Sequence, residues 1–210
     1  MYSFDLSLYL VTDSEGRKTE DFLDIVRKAC EGGVTLVQLR EKNLTGREYF
    51  QLAQKVKTVT DRFRVPLIID DRVDIAIASC AAGVHLGQTD LPISAARAFT
   101  RPDMIIGATA KTVEQAVAAE KDGADYLGVG AIYPTTTKVI TVLTPVETLI
   151  DIKKIVSIPI VAIGGLNAEN LSILRNSGVD GIAVVTAIMN SSEPKETAAK
   201  LRVSFDSVKK

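Results

Sequence analysis

A chain of 210 residues, 46% of them hydrophobic, carries enough apolar surface to bury a substantial core. Its 25 lysines and arginines balance 26 aspartates and glutamates, so no overall field favours nucleic acid or an acidic membrane, and any anion must be bound locally. No apolar run approaches the roughly 18 residues of a membrane span, and the N-terminal MYSFDLSLYLVTD lacks the basic start of a secretory signal, so a cytoplasmic protein with no membrane partner is expected.

The first expected strand is LYLVT (8–12), followed by a helix over 19–31 in which Phe22, Leu23, Ile25, Val26 and Ala29 share one side. GGVTLVQLR (32–40) then opens a series of similar segments, continued by AAGVHLGQT (81–89), DGADYLGVG (122–130) and SGVDGIAVVT (177–186). Each has a glycine suited to the position after a helix, a β-branched or aromatic-rich run, and a polar or glycine-rich end. VPLIID (65–70) and IPIVAIGG (158–165) carry proline at a strand start, where no ladder bond is lost, and MIIGAT (104–109) brings the strands to eight. Helical patterns fill the gaps. Thr112 with Gln115 resembles a capping box before AVAAEKDG, and TPVETLIDIKKI offers Thr144 as N-cap, Pro145 at the first position and Glu147 at the third.

Nearly continuous apolar strands joined by crossover helices indicate a parallel sheet covered on its outer face. Eight units in this length, with no break in composition, favour a single closed (β/α)8 TIM barrel over residues 1–210 rather than a doubly wound open sheet. The two cysteines, Cys30 and Cys80, form no CxxC pair and are expected to be reduced packing residues near helix ends.

Active sites in such barrels gather at the C-terminal ends of the strands, which is where PLIIDDRVDIA places Asp70 and Asp71 and GVHLGQTD places Asp90. Strands three and four would be neighbours about 5 Å apart, so acids leaving their ends could share one ion. Magnesium suits such a pair, since it takes one or two carboxylates and completes its octahedron with water and phosphate oxygens. The competing reading is that Asp71 and Asp90 merely cap the helices that start RVDIA and LPISA. Strand two ends in VQLREK, where the two-residue period aims Gln38, Arg40 and Lys42 at the barrel mouth. Arginine can clasp a diphosphate with two parallel bonds, and lysine adds a mobile charge. After strand six, PTTTK supplies Thr135, Thr136, Thr137 and Lys138. Gly164-Gly165 and Val185-Thr186 follow strands seven and eight, where many barrels bind phosphate through backbone N–H groups, although a tight turn explains the glycines equally well. The single histidine, His85, lies within a strand and reads as a hydrogen-bonded barrel residue rather than a metal ligand or general base. No Ser-His-Asp arrangement, HExxH, Walker loop or GxGxxG is present, which removes several enzyme classes.

Together VQLREK (37–42), DDRVDIA (70–76), GVHLGQTDLP (83–92), PTTTK (134–138) and AIGGL (162–166) resemble the thiamine-phosphate synthase family, over nearly the whole chain. The resemblance implies a (β/α)8 barrel that joins hydroxymethylpyrimidine diphosphate to thiazole phosphate, releasing diphosphate and forming thiamine phosphate. By position it implies that Gln38, Arg40 and Lys42 hold the pyrimidine diphosphate, that Asp71 and Asp90 bind Mg²⁺, and that Thr109 lies on the pyrimidine side. Asp70 joins the substrate-binding set at a position where the family usually has asparagine, Thr109 stands where serine is usual, and Lys111 where histidine is frequent. Thr135, Thr137, Gly165, Val185 and Thr186 would hold the thiazole phosphate, Thr136 joins the substrate-binding set, and Lys138 would sit between the two substrates near the leaving group. Arg40, Lys42 and Lys138 are thus the candidate catalytic residues. The partners implied are these two small molecules, without nucleic acid or membrane, and a homo-oligomer is left open.

Two other readings stand beside this one: a thiazole tautomerase-like isomerase that shares the barrel, and a non-catalytic phosphate-binding barrel. The segment Val139-Ile140-Thr141-Val142-Leu143 departs furthest from the family. It is expected to cross the top face with its apolar side chains packed, either as a hydrophobic lid or docked permanently on the rim or against a neighbouring subunit.

Overall fold

The second strand, β2 (Leu36–Leu39), shows how the layers form: Leu36 and Gln38 face the inside of a barrel, whereas Val37 and Leu39 face outward toward helices. The computed structural model describes residues 4–134 and 142–209. The same alternation holds around eight parallel strands: β1 (Leu8–Val11), β2, β3 (Leu67–Asp70), β4 (Gly83–Leu86), β5 (Ile105–Ala110), β6 (Tyr126–Gly130), β7 (Ile160–Ile163) and β8 (Gly181–Val184). They pair in chain order, and β1 pairs with β8 to close the (β/α)8 barrel that the sequence leads one to expect. Closure removes the exposed edges that an open sheet would leave.

The outer layer comprises α1 (Thr19–Glu31), α2 (Gly46–Arg62), α3 (Val73–Ala78), α4 (Ile93–Phe99), α5 (Val113–Lys121), α6 (Val146–Ile155), α7 (Thr186–Met189) and α8 (Pro194–Lys209). Between β7 and β8 the crossover is a 3₁₀ turn, Leu171–Leu174, instead of an α-helix. Apolar side chains from the strands' outer faces and from the helices form one core, including Val37, Ile69, Phe22 and Leu149. A second core fills the barrel itself, built from Tyr9, Val11, Leu36, Ile68, Ile105, Tyr126, Val161 and Ala183. No helix among the described residues is long and apolar enough to cross a membrane.

Several local expectations change on folding. Gly33, Gly123 and Gly178 do take positive φ at the ends of helical turns. In the segment before β4, however, Cys80 occupies the left-handed position at φ 53°, while Gly83 lies inside the strand. A Cβ on Gly83 would come within 2.2 Å of the Ile105 carbonyl oxygen, so this glycine serves close strand packing. Cys80 is also exposed, whereas Cys30 is buried; only Cys30 is the packing residue expected of both.

Thr144 does not cap α6. Pro145 has ψ 150° and occupies the flanking position, leaving Thr144 buried one residue earlier with its N–H bonded to Ala131 O at 2.8 Å. Thr112 Oγ1 does accept from Gln115 N–H, but Gln115 reaches back to Lys111 N–H rather than to Thr112. The full reciprocal capping box belongs to α2, where Thr45 and Glu48 satisfy each other's backbone donors.

Candidate functional site

The C-terminal ends of the strands converge on a cavity of about 340 Å³. Gln38, Arg40, Lys42, Asp70, Asp71, Asp90, Thr109, Gly165, Val185 and Thr186 all line it, although they come from six strands and their loops. Thr135, Thr136, Thr137 and Lys138 lie outside the described residues, as do Val139, Ile140 and Thr141 of the expected lid. The described remainder of that segment, Val142 and Leu143, is 62% and 49% exposed, so the expected packing of its apolar side chains does not hold for these two.

The acids are placed by tight turns. Asp70 ends β3 and pairs in register with His85 of β4, so its side chain points into the barrel. The next residue, Asp71, adopts φ 62°, a left-handed conformation that aspartate tolerates better than most residues. Its N–H bonds to His85 O at 2.9 Å while Arg72 N–H bonds to Asp70 O at 2.7 Å, which turns the chain sharply and presents the Asp71 carboxylate at the mouth. Asp90 Oδ2 accepts from Gly87 N–H at 2.6 Å and fixes the loop after β4. A Cβ on Gly87 would stand 2.9 Å from that carboxylate oxygen, so a larger residue there would displace Asp90. Neither acid caps a helix: α3 begins after Arg72 and α4 after Pro92, both without a side-chain cap bond.

Charge is concentrated where β2, β3 and β4 end. Lys42 Nζ lies 2.9 Å from Asp70 Oδ2 and hydrogen-bonds Asp71 as well, and Arg40 Nε is 3.8 Å from Asp70 Oδ2. Burial, with the Asp71 charge adding to it, pushes the Asp70 carboxyl up to about 6 despite Lys42 and Arg40. Burial also acts upward on Asp71, but the Lys42 hydrogen bond and charge, with a hydrogen bond from Asp90, hold its carboxyl below the usual range. Asp90 is raised by burial and by the neighbouring Asp71. Asp71 and Asp90 line the same cavity and each perturbs the other's titration, so the acids that follow β3 and β4 stand near each other, as their strand positions suggest.

On the opposite side of the mouth, Gly164 and Gly165 take φ 104° and 64° after β7. A Cβ on Gly165 would stand 2.6 Å from Tyr133 Cβ, so the turn permits no larger residue without movement. Asn170 Nδ2 anchors this turn by donating to Gly165 O at 2.9 Å. Val185 and Thr186 start the chain into α7 on the same wall.

His85 is a hydrogen-bonded barrel histidine, as expected: Nδ1 lies 3.0 Å from Tyr126 OH and Nε2 lies 2.9 Å from Thr109 Oγ1. Tyr9, Gln88 and Lys111 also line the cavity and are absent from the expected site. Tyr9 could have been found from the inward period of LYLVT, but a tyrosine in an apolar strand reads first as core.

The family model for thiamine monophosphate synthase matches residues 8–188 of this chain. Thiamine-phosphate synthase 2 of Streptococcus pneumoniae is 53% identical over 188 residues, 90% of each chain, and thiamine-phosphate synthase of Clostridium tetani is 47% identical over 204 residues, covering 97% of this chain and 98% of that one. Among solved structures, thiamine phosphate pyrophosphorylase from Pyrococcus furiosus superposes with a TM-score of 0.87 at 39% identity, covering 97% of this chain and 96% of that one.

Proposed function

Because the chain belongs to the thiamine monophosphate synthase family, we propose that its mouth cavity is where hydroxymethylpyrimidine diphosphate and thiazole phosphate are joined, with the charged cluster of β2, β3 and β4 receiving the diphosphate. The protein is a transferase that forms thiamine phosphate. The observation that carries the site assignment is the meeting of Arg40 and Lys42 with the Asp71–Asp90 pair in one cavity, opposite the Gly165 and Thr186 wall.

The donors fit Mg²⁺. Asp71 and Asp90 bring hard carboxylate oxygens together, a pair that repels when both are ionised unless a cation lies between them. Mg²⁺ usually takes one or two carboxylates and fills its remaining positions with water and phosphate oxygens. Bound there, Mg²⁺ would neutralise charge on the departing diphosphate.

This chain's own residues do the rest. Arg40 clasps phosphate oxygens, Lys42 can turn from the aspartates to the leaving group, and buried Asp70 keeps both cations aimed inward. The asparagine-to-aspartate departure at position 70 therefore does not place an unpaired charge against the diphosphate. Gln38 and Thr109 face the pyrimidine, while Gly165, Val185 and Thr186 face the thiazole phosphate. Thr135, Thr136, Thr137 and Lys138 complete the two phosphate sites in this reading. An electron-rich aminopyrimidine that loses diphosphate gives a resonance-stabilised methylene cation, which the thiazole nitrogen captures. Such a reaction needs stabilised leaving-group charge more than a general base, and preorganised charge is commonly the largest catalytic contribution.

A thiazole tautomerase would need neither the β2 cations nor the acid pair, and a non-catalytic barrel would need no arrangement for a leaving group. The test is incubation with both substrates and Mg²⁺, following thiamine phosphate and diphosphate together. Formation of both in equal amounts is expected; binding of both substrates without product would sink the assignment.

A further inference from the structure

Beneath the cavity runs an unbroken chain of hydrogen bonds across the inside of the barrel. Gln38 Nε2 donates to Tyr9 OH at 2.8 Å, Tyr9 OH meets Tyr126 OH at 2.8 Å, Tyr126 OH meets His85 Nδ1 at 3.0 Å, and His85 Nε2 meets Thr109 Oγ1 at 2.9 Å. Gln38 is 4% exposed, Tyr9 1% and Tyr126 0%, so the links between them are shielded from solvent. A low local dielectric strengthens such bonds and makes an unsatisfied member costly.

The fold makes room for this chain. A Cβ on Gly107 would lie 2.1 Å from Tyr126 Cζ and 2.3 Å from its hydroxyl oxygen, and one on Gly128 would lie 3.2 Å from His85 Cε1. Both glycines occupy strand interiors, where glycine weakens a strand unless something approaches closely. What approaches here is the pair of polar rings, whose centroids are 5.6 Å apart. Burial keeps both phenols well above their ordinary titration range, so each retains a proton to donate.

One donor sets the direction of the whole chain. With the Gln38 amide donating to Tyr9, the direction that gives every hydroxyl proton an acceptor has Tyr9 donate to Tyr126 and Tyr126 donate to His85 Nδ1. In that direction His85 would carry its hydrogen on Nε2 and donate it to Thr109 Oγ1. Thr109 is left with its own hydroxyl proton for the cavity, and Gln38 with its carbonyl oxygen. The reverse direction would exchange these roles, presenting an amide donor at Gln38 and a bare acceptor at Thr109.

We propose that Tyr9, Tyr126 and His85 form a one-way relay that holds Gln38 as acceptor and Thr109 as donor toward the pyrimidine, so that Tyr126 and His85 are positioning residues that determine which ring is accepted. This rests on the coupling reaction assigned above. An aminopyrimidine offers an amine donor and, across the ring, a nitrogen acceptor, which matches that pattern. A ring with oxygen in place of the amine presents an acceptor to an acceptor, and sites built on hydrogen bonds reject such mismatches strongly.

The chain contains one histidine, so nitrogen NMR of labelled histidine reads a single ring in the intact enzyme. The Nε2–H tautomer is expected; an Nδ1–H tautomer in the parent protein would overturn the relay's direction. In Tyr126→Phe, KM for the pyrimidine diphosphate should rise about tenfold while KM for thiazole phosphate and kcat stay near parent values, and discrimination against the oxygen-substituted ring should fall by a similar factor. Unchanged discrimination in a folded Tyr126→Phe protein would refute the positioning role. Tyr9→Phe cuts the relay one link earlier and replaces Tyr126→Phe if that variant fails to fold. A parent enzyme that does not couple the substrates refutes the assigned reaction, whereas the tautomer measurement still decides the relay.

Discussion

Lys42 Nζ stands 2.9 Å from Asp70 Oδ2, yet the Asp70 carboxyl titrates near 6 rather than at its ordinary 3.8, because burial and the adjacent Asp71 charge outweigh this ion pair. The folded state therefore holds the Asp70 proton more tightly than the unfolded chain does. The sign follows: this group's contribution to stability falls as pH rises from about 4 to about 6 and is flat above, a loss of up to roughly 3 kcal/mol for a shift of about two units. Asp70→Asn is expected to remove that slope and raise stability at neutral pH by about 1–2 kcal/mol, because an uncharged amide avoids ionising this buried position while Lys42 keeps Asp71 as its partner. Urea unfolding at several pH values checks it; an unchanged slope would assign the pH dependence to other groups.

Asp71→Asn and Asp90→Asn are each expected to lower turnover by a factor of about 100 or more, the scale seen when one charge-stabilising group is lost. Melting temperatures should stay near the parent value, because both carboxylates sit in loops beyond the strand ends rather than in either core. Titrating Mg²⁺ in the activity assay distinguishes a lost ligand, which raises the concentration required, from a misfolded loop.

Arg40→Met should raise KM for the pyrimidine diphosphate by about tenfold or more, since charge-assisted bonds to a diphosphate are among the stronger hydrogen bonds. KM for thiazole phosphate should change much less, because Gly165 and Thr186 follow β7 and β8 while Arg40 follows β2. Steady-state kinetics with each substrate varied in turn measures the split, and equal effects on both constants would contradict the division of the cavity.

Gly107→Ala tests the inner core. Its new methyl would need the space of the Tyr126 ring, at 2.1 Å from Cζ, so a loss of about 1–3 kcal/mol or more in unfolding free energy is expected. Combining it with Tyr126→Leu should recover part of that loss if the clash is with the ring.

Much of this protein is legible along the chain because its regularities are local. PLIIDD and VQLREK each display an apolar run ending in charge, and in a parallel barrel every such end reaches the same face. Asp71, Asp90, Arg40 and Lys42 could therefore be gathered from strand order alone. The start of α6 could not be read as reliably: Thr144 has the right chemistry for a cap, but its burial beside Ala131 and the extended backbone of Pro145 move the helix start by one residue. Cys80 likewise takes a left-handed turn that sequence preference would give to glycine, because the chain must reverse from α3 into β4 at that point.

Periodicity and turn residues state which side of a strand a residue occupies, and these short-range preferences specified the eight strands and the charged mouth. They do not state which inward residues meet. Tyr9 and Tyr126 are 117 positions apart, and their hydroxyls come to 2.8 Å only because the barrel closes and Gly107 yields its side-chain volume. The elevated Asp70 carboxyl and the closeness of Asp71 to Asp90 arise in the same way, since desolvation and charge proximity come into being only when distant strands exclude water together.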